Sequence, residues 1–448
     1  MNTFYVVFRV VPTSHNQYVN EIEGAFACCW VCDDDPVSAT NLGSFKVRQL
    51  HWKVLSIEEP PVLVGEEDYQ QKEMALERFK HAQAHRVAIA FEAWSKDGKT
   101  SLEAIRLESS KDFIIGNYLS DIAELKRTGR CLHFDAGITC TNPIDAHSIQ
   151  KNGALSVIAE NGQVYVPSKN FSDTKRNLGQ VVFAKRGIDA VSTFRGFCGK
   201  HDNEIFQPID DQPLAPSSEQ ITLYAYRGVC RELFAKENSV RLFQDYAKNS
   251  ANQASHHIFD SLLKGSSFAL QNLAAQKEKY DAMFTSKSFA DIKSCLFHSS
   301  APPPVVFSGA LFPEYDFRGS KLQDLSRHDH ELDLLTFSFA SMFEGWSLLF
   351  AWHSDSSESC VPLMRSLATR GFEDGSYGDH LFRFVVANCE NLAISPVWWE
   401  SLNEPDRAEI MKCANNMVNP FSPLHPDYLE AELKGANWKF DYVIPNYE

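Results

Sequence analysis

CLHFDAGITC (131–140), AHSIQKNGALSVIAENGQVYVP (146–167) and FRGFCGKHDNEIFQP (194–208) are the segments on which the reading of this chain turns. Two cysteines, Cys131 and Cys140, open the stretch, and a Cys-x-x-His pair, Cys198 and His201, closes it. Between them lie His147 and a segment with hairpin character. Four soft or borderline ligands divided two and two across a hairpin are what a tetrahedral zinc ion requires. The three-residue spacing of Cys198 and His201 puts both side chains on one face of a helix's first turn. Cys131 and Cys140 are nine apart, a wider loop than a tight zinc knuckle. His133, inside that loop, or His147 can stand in for Cys140. In a reducing compartment clustered cysteines more often bind metal or do chemistry than form bridges, so zinc is expected here and not a disulfide.

The same order of residues resembles the zinc-stapled HNH (His-Me finger) nuclease module, over residues 129–210 of the chain. The resemblance implies a ββα or treble-clef unit held by a structural zinc at Cys131, Cys140, Cys198 and His201. It makes His147, at the end of the first strand, the general base. Asp202, just after the zinc pair on the last helix, takes the catalytic-metal position, with Asn203 and Glu204 as weaker candidates and Mg²⁺ or Mn²⁺ as the ion. The chain departs from the family in three places. Ala146 stands where an acidic residue often precedes the histidine, His201 replaces a closing cysteine, and Asn152, Asn161, Asn170 and Asn177 compete for the middle asparagine.

Charge supports a nucleic-acid partner. From His147 to His201 there are eight basic residues against three acidic ones, in a chain whose net charge is −15. A positive island in an acidic chain is the footprint of a phosphate-binding surface, and Lys175, Arg176, Lys185 and Arg186 are its densest members. The acidic total argues against a general nucleic-acid coat or a membrane-surface binder.

The 448 residues predict two to four domains of soluble, globular composition. No apolar run approaches the ~20 residues that span a bilayer, so no membrane role is expected. The start, MNTFYVVFRVVPTSHN, alternates without a basic leader, which predicts a cytoplasmic protein with no secretory signal.

The fold class expected is α+β, with several domains. Residues 1–95 form a small α+β domain with strands at Phe4–Val11, Gly24–Cys32 and Trp52–Ile57. Its helices, over 36–50 and 66–85, lie on one face of the sheet. Cys29 and Cys32 point to opposite faces of a strand and are expected to be buried hydrophobes. Residues 96–128 are a bridge, with a strand at Leu102–Arg106 and a helix at Phe113–Lys126. The zinc module occupies 129–212. A helical hairpin over 213–285 begins at Ser218, and its stripe Leu223, Tyr226, Val229, Cys230, Leu233 and Phe234 faces a core or a second copy in a homodimer. Arg227 and Arg231 are expected on its solvated side. Residues 286–448 form a β-rich α+β domain with strands at Val305–Leu311, Leu332–Phe339 and Trp346–Trp352 and an aromatic anchor at Trp398–Trp399. The run Arg327–Glu331 reads as a solvated turn.

The function expected is a metal-dependent HNH-like endonuclease, with a bacterial defence or mobile-element setting implied by resemblance alone. The alternative is a zinc-stapled binding or scaffold protein without catalysis. The nuclease needs His147 exposed, neutral and beside the basic strip; in the structural alternative it is buried or is itself a zinc ligand in place of Cys140.

Overall fold

A computed structural model describes residues 2–16, 18–69, 73–96, 125–137, 139–168, 182–249, 253–327, 329–375, 377–416 and 424–447. The chain is mixed α+β. The predicted strand Leu102–Arg106, and the predicted helix Phe113–Lys126 up to residue 124, lie outside the described residues.

The first unit is a four-stranded antiparallel sheet of β1 (Asn2–Pro12), β2 (Ile22–Asp33), β3 (Trp52–Val64) and β4 (Val87–Ser95), in the order β3-β1-β2-β4. Helix α1 (Pro36–Gln49) starts where the Asp35 carboxylate accepts from the Val37 and Ser38 N–H groups, with Pro36 fitting the first turn. The second helix, α2, spans Glu73–His85. Phe4, Val6 and Phe8 pack with α1's Ala39 and Val47, whereas Val7, Cys28 and Trp30 pack with α2's Phe79 and Ala82. The helices therefore cover both faces, not one. The reason is that β1 and β2 are apolar on both sides, and each side needs a cover. Cys29 and Cys32 fall into the two different cores, as their odd spacing requires.

Next come β5 (Pro143–His147), β6 (Gln163–Ser168), β7 (Val182–Gly187) and β8 (Thr193–Cys198), followed by helix α3 (Gly199–Asp210). β5 and β8 pair antiparallel, Pro143 opposite Cys198 and His147 opposite Thr193, so β5, β8 and α3 form a ββα unit. The β6–β7 hairpin joins a different sheet.

Helices α4 (Ser218–Asn249) and α5 (Gln253–Ser286) pack as the long hairpin. The rest of the chain supplies β9 (Ile292–Ser299), β10 (Val305–Leu311), β11 (Leu335–Ser341), β12 (Trp346–His353), α6 (Ser357–Asp374), α7 (Tyr377–Asn388), β13 (Leu392–Ile394), α8 (Pro396–Ser401), α9 (Glu404–Asn416) and β14 (Tyr442–Asn446). The large sheet runs β14-β9-β12-β11-β10-β13-β6-β7, with Ile394 of β13 opposite Tyr165 of β6.

One core links the ββα unit to this sheet through α4. Leu132, Phe194, Phe197 and Phe206 pack on Tyr226, Val229 and Cys230, which pack in turn with Leu349 and Ala351. The stripe on α4 is buried, but so are Thr222, Ala225 and Arg227, because the helix is covered on more than one side. Farther out, Phe243, Ala247 and Phe259 close a small core between the two helices. Trp399 is buried as an anchor beside Tyr165 and Phe183.

Candidate metal centre and adjoining site

The ββα unit brings its four predicted ligands together. Cys198 ends β8 and precedes α3, so its backbone is still extended while His201 already sits on the helix's first turn. The other arm is held down by backbone bonds. Leu132 N–H donates to the Gly196 carbonyl at 2.8 Å, and Tyr226 Oη donates to the Leu132 carbonyl at 3.1 Å. Gly129 permits the approach, since a Cβ there would lie 2.2 Å from the Arg195 carbonyl oxygen. The loop then turns back so that Gly137 N–H donates to Cys140 Sγ at 3.3 Å.

His201 Nδ1 lies 3.4 Å from Cys131 Sγ, 3.5 Å from Cys140 Sγ and 3.5 Å from Cys198 Sγ. Zinc bonds of about 2.3 Å to sulfur and about 2.0 Å to nitrogen, at tetrahedral angles, imply S···N edges of about 3.5 Å. The four groups thus form a cage that could hold a metal ion such as zinc. Cys198 and His201 are buried, while Cys131 and Cys140 are partly so. Burial pushes the Cys131 thiol up to about 11. Burial acts on Cys198 in the same sense, but donors from the His201 and Thr141 backbone and the Thr141 side chain outweigh it and bring that thiol down to about 6. A divalent cation among the sulfurs would favour the thiolate form of all three.

His133 lies outside the group of four. Its ring stacks on His201 at 4.2 Å and 9°, and its Nδ1 accepts from Asp135 N–H at 3.0 Å. Burial, and then the charge on His201, lower its pKa to about 4. His147 also stands apart from the cage, so neither histidine displaces Cys140.

His147, half-buried at the end of β5, holds its Nε2 3.2 Å from the Ile188 carbonyl oxygen. A carbonyl only accepts, so Nε2 is the donor in this contact. No hydrogen bond engages Nδ1 among the described residues. Asp202, next to His201 on α3, is half-buried. Burial raises its pKa, and Arg227 and His147 pull it the other way. Asp189 also feels His147, after the stronger effect of its ion pair with Lys151, and is lowered. His147 therefore lies near both carboxylates. Neither His147 nor Asp202 belongs to a close group of three potential ligands among the described residues. Asn203 and Glu204 are exposed on α3.

Arg227 is 3% exposed, not solvated. It donates twice to Asp210, at 2.8 and 2.7 Å, and lies 4.0 Å over the Phe206 ring. Arg231 is likewise drawn inward and pairs with Glu232. Of the basic island, Lys175 and Arg176 lie outside the described residues. Lys185 forms an ion pair with Glu400 at 2.6 Å, and Arg186 donates to the Lys185 carbonyl and to Ser168 Oγ. Arg327 pairs with Asp329 on the exposed turn.

Sequence reasoning missed the Ile188 carbonyl, the Thr141 donors and the Asp210–Arg227 pair. The first is a backbone atom and carries no residue signature. The last joins two helices whose packing no local pattern announces. No helix among the described residues is long and apolar enough to cross a membrane. In comparisons with known proteins, no family model, no curated protein and no solved structure matches the chain.

Proposed function

We propose that the chain is a metal-dependent nuclease in which zinc staples the ββα unit and His147 does the chemistry. The observation that supports this reading is the His147 contact: Nε2 lies against the Ile188 carbonyl, which holds the ring from one side and leaves Nδ1 without a hydrogen-bond partner among the described residues. In this reading Nδ1 takes a proton from water as the water attacks phosphorus. Asp202 would hold a Mg²⁺ or Mn²⁺ ion, which would supply charge stabilisation at the phosphate and the leaving oxygen. The Asp210–Arg227 pair braces α3, and hence Asp202, against α4. Zinc at Cys131, Cys140, Cys198 and His201 holds the unit's shape without touching substrate.

A second reading, a zinc-stapled scaffold without catalysis, is supported by one observation. Lys151 and Lys185, both in the basic island, are engaged in internal ion pairs. The test between the two is cleavage of single- and double-stranded DNA and RNA in Mg²⁺ or Mn²⁺, wild type against Asp202→Asn. The nuclease reading expects cleavage that Asp202→Asn weakens and that high Mn²⁺ partly restores. Equal activity in the two proteins would contradict it, as would wild-type inactivity on all four substrates.

A further inference from the structure

A second group of metal-ligating side chains lies in the C-terminal half, where residues 424–441 cross the start of α7. Leu433 N–H donates to the Asp379 carbonyl at 3.3 Å. The backbones approach so closely that a Cβ on Gly378 would lie 2.1 Å from the Trp438 carbonyl oxygen. This crossing gathers Asp374, the last residue of α6, His380, on the first turn of α7, and Glu432, on the crossing segment. One ring nitrogen and one oxygen from each carboxylate all lie within 4.8 Å of one another. His380 is 0% exposed; its Nε2 is 2.8 Å from Asp374 Oδ2, and its buried Nδ1 has no hydrogen-bond partner. Asp374 and Glu432 both keep contact with solvent.

As a purely hydrogen-bonded arrangement this is costly, because two carboxylates of like charge crowd one buried imidazole. Lys434 reaches Glu432 at 3.5 Å but is 78% exposed, so its charge offsets little. A divalent cation relieves the repulsion. One imidazole and two carboxylates suit zinc or manganese, and three protein ligands with a solvent-facing side match the ligand count of open zinc sites. We infer that Asp374, His380 and Glu432 form a second divalent-metal site, oxygen-rich and open to water, independent of the nuclease reading. Its ion exchanges more readily than one enclosed by three thiolates.

The experiment is calorimetric titration of Zn²⁺ into the full chain as purified, dialysed into metal-free buffer without chelator, so that the thiolate centre keeps its ion. In an Asp202→Asn background, which removes the carboxylate that the nuclease reading gives to its own ion, the chain should still take up one further equivalent, and the two variants of the site are compared in that background. Glu432→Gln and Asp374→Asn preserve side-chain size at partly exposed positions and should melt close to the Asp202→Asn parent. Each should bind that equivalent at least as much more weakly as the roughly 10–100-fold that loss of an outer-shell partner costs. Mn²⁺ binding followed by electron paramagnetic resonance provides a second readout should one variant fold poorly. Absence of a further equivalent in the Asp202→Asn protein would overturn the site. So would unchanged affinity in both variants, which would put the ion elsewhere on the surface.

Discussion

His201 Nδ1 and Cys131 Sγ are 3.4 Å apart although 70 positions separate them in the chain. That contact closes the ββα unit on itself, and the unit's inner face is continuous with the core around Tyr226 and Leu349. Loss of the metal centre should therefore reach beyond the finger. Structural zinc contributes about 10 kcal/mol or more to the folding of small units of this kind. Cys198→Ser should lose the zinc and destabilise α4 along with residues 129–210. Zinc content and hydrogen exchange of the Tyr224–Phe234 amides check this; unchanged exchange on α4 in a zinc-free variant would show that the two are uncoupled.

Asp210 and Arg227 make a pair in which the cation is far more buried than the anion. Removing the anion strands a buried charge, so Asp210→Ala should cost about 3 kcal/mol. The double variant Asp210→Ala with Arg227→Leu should cost less than the sum of the two single changes. Chemical denaturation of the four proteins measures the coupling; strict additivity would mean that the pair does not hold α3 to α4.

Much of this site was legible in the sequence because zinc ligands need particular residue types at particular spacings. The four cage residues, the strand carrying His147 and the buried stripe of α4 all follow from local pattern. What the pattern could not show is which partner an element chooses. The run QVYVPS alternates as a strand should, yet nothing in it says that Tyr165 will lie opposite Ile394 in the large sheet. Arg227 looks like surface until Asp210, on another helix, is seen to meet it. Asp374 and His380 are six apart across a helix boundary, and Glu432 comes from a distant segment. The number of helices on the first sheet follows from local pattern, but the face each one covers depends on β1 and β2 being apolar on both sides.

His353 offers a test of electrostatics away from either metal group. Its pKa is lowered from 6.5, chiefly by burial, with Asp355 opposing. The unfolded chain thus takes up a proton at a pH where the folded chain does not, and stability should fall as pH drops below about 6.5. His353→Asn keeps an acceptor for the Asp355 N–H, which His353 Nδ1 now receives at 3.3 Å. Thermal melts between pH 5 and 7.5 (roughly the range over which histidine titrates) should be flatter for the variant than for wild type; identical slopes would show that His353 does not contribute.

The nuclease reading assigns the basic island to nucleic acid, and substitutions within it test that assignment. Lys185 is held by Glu400, so Lys185→Ser should change the salt dependence of binding little. Lys175→Ser with Arg176→Ser should reduce the slope of log affinity against log salt by about 0.7–0.9 per lost phosphate contact. The reverse pattern would mean that the Lys185–Glu400 pair opens to receive phosphate.

The most direct test of the proposed chemistry is the rate of phosphodiester cleavage by His147→Ala, measured beside its zinc content. On the proposed reading His147 acts as the general base from outside the thiolate cage, so the rate should fall by about 10²–10⁴ while zinc stays at the wild-type ratio. Cleavage at the wild-type rate in a folded, zinc-loaded His147→Ala protein would contradict the account.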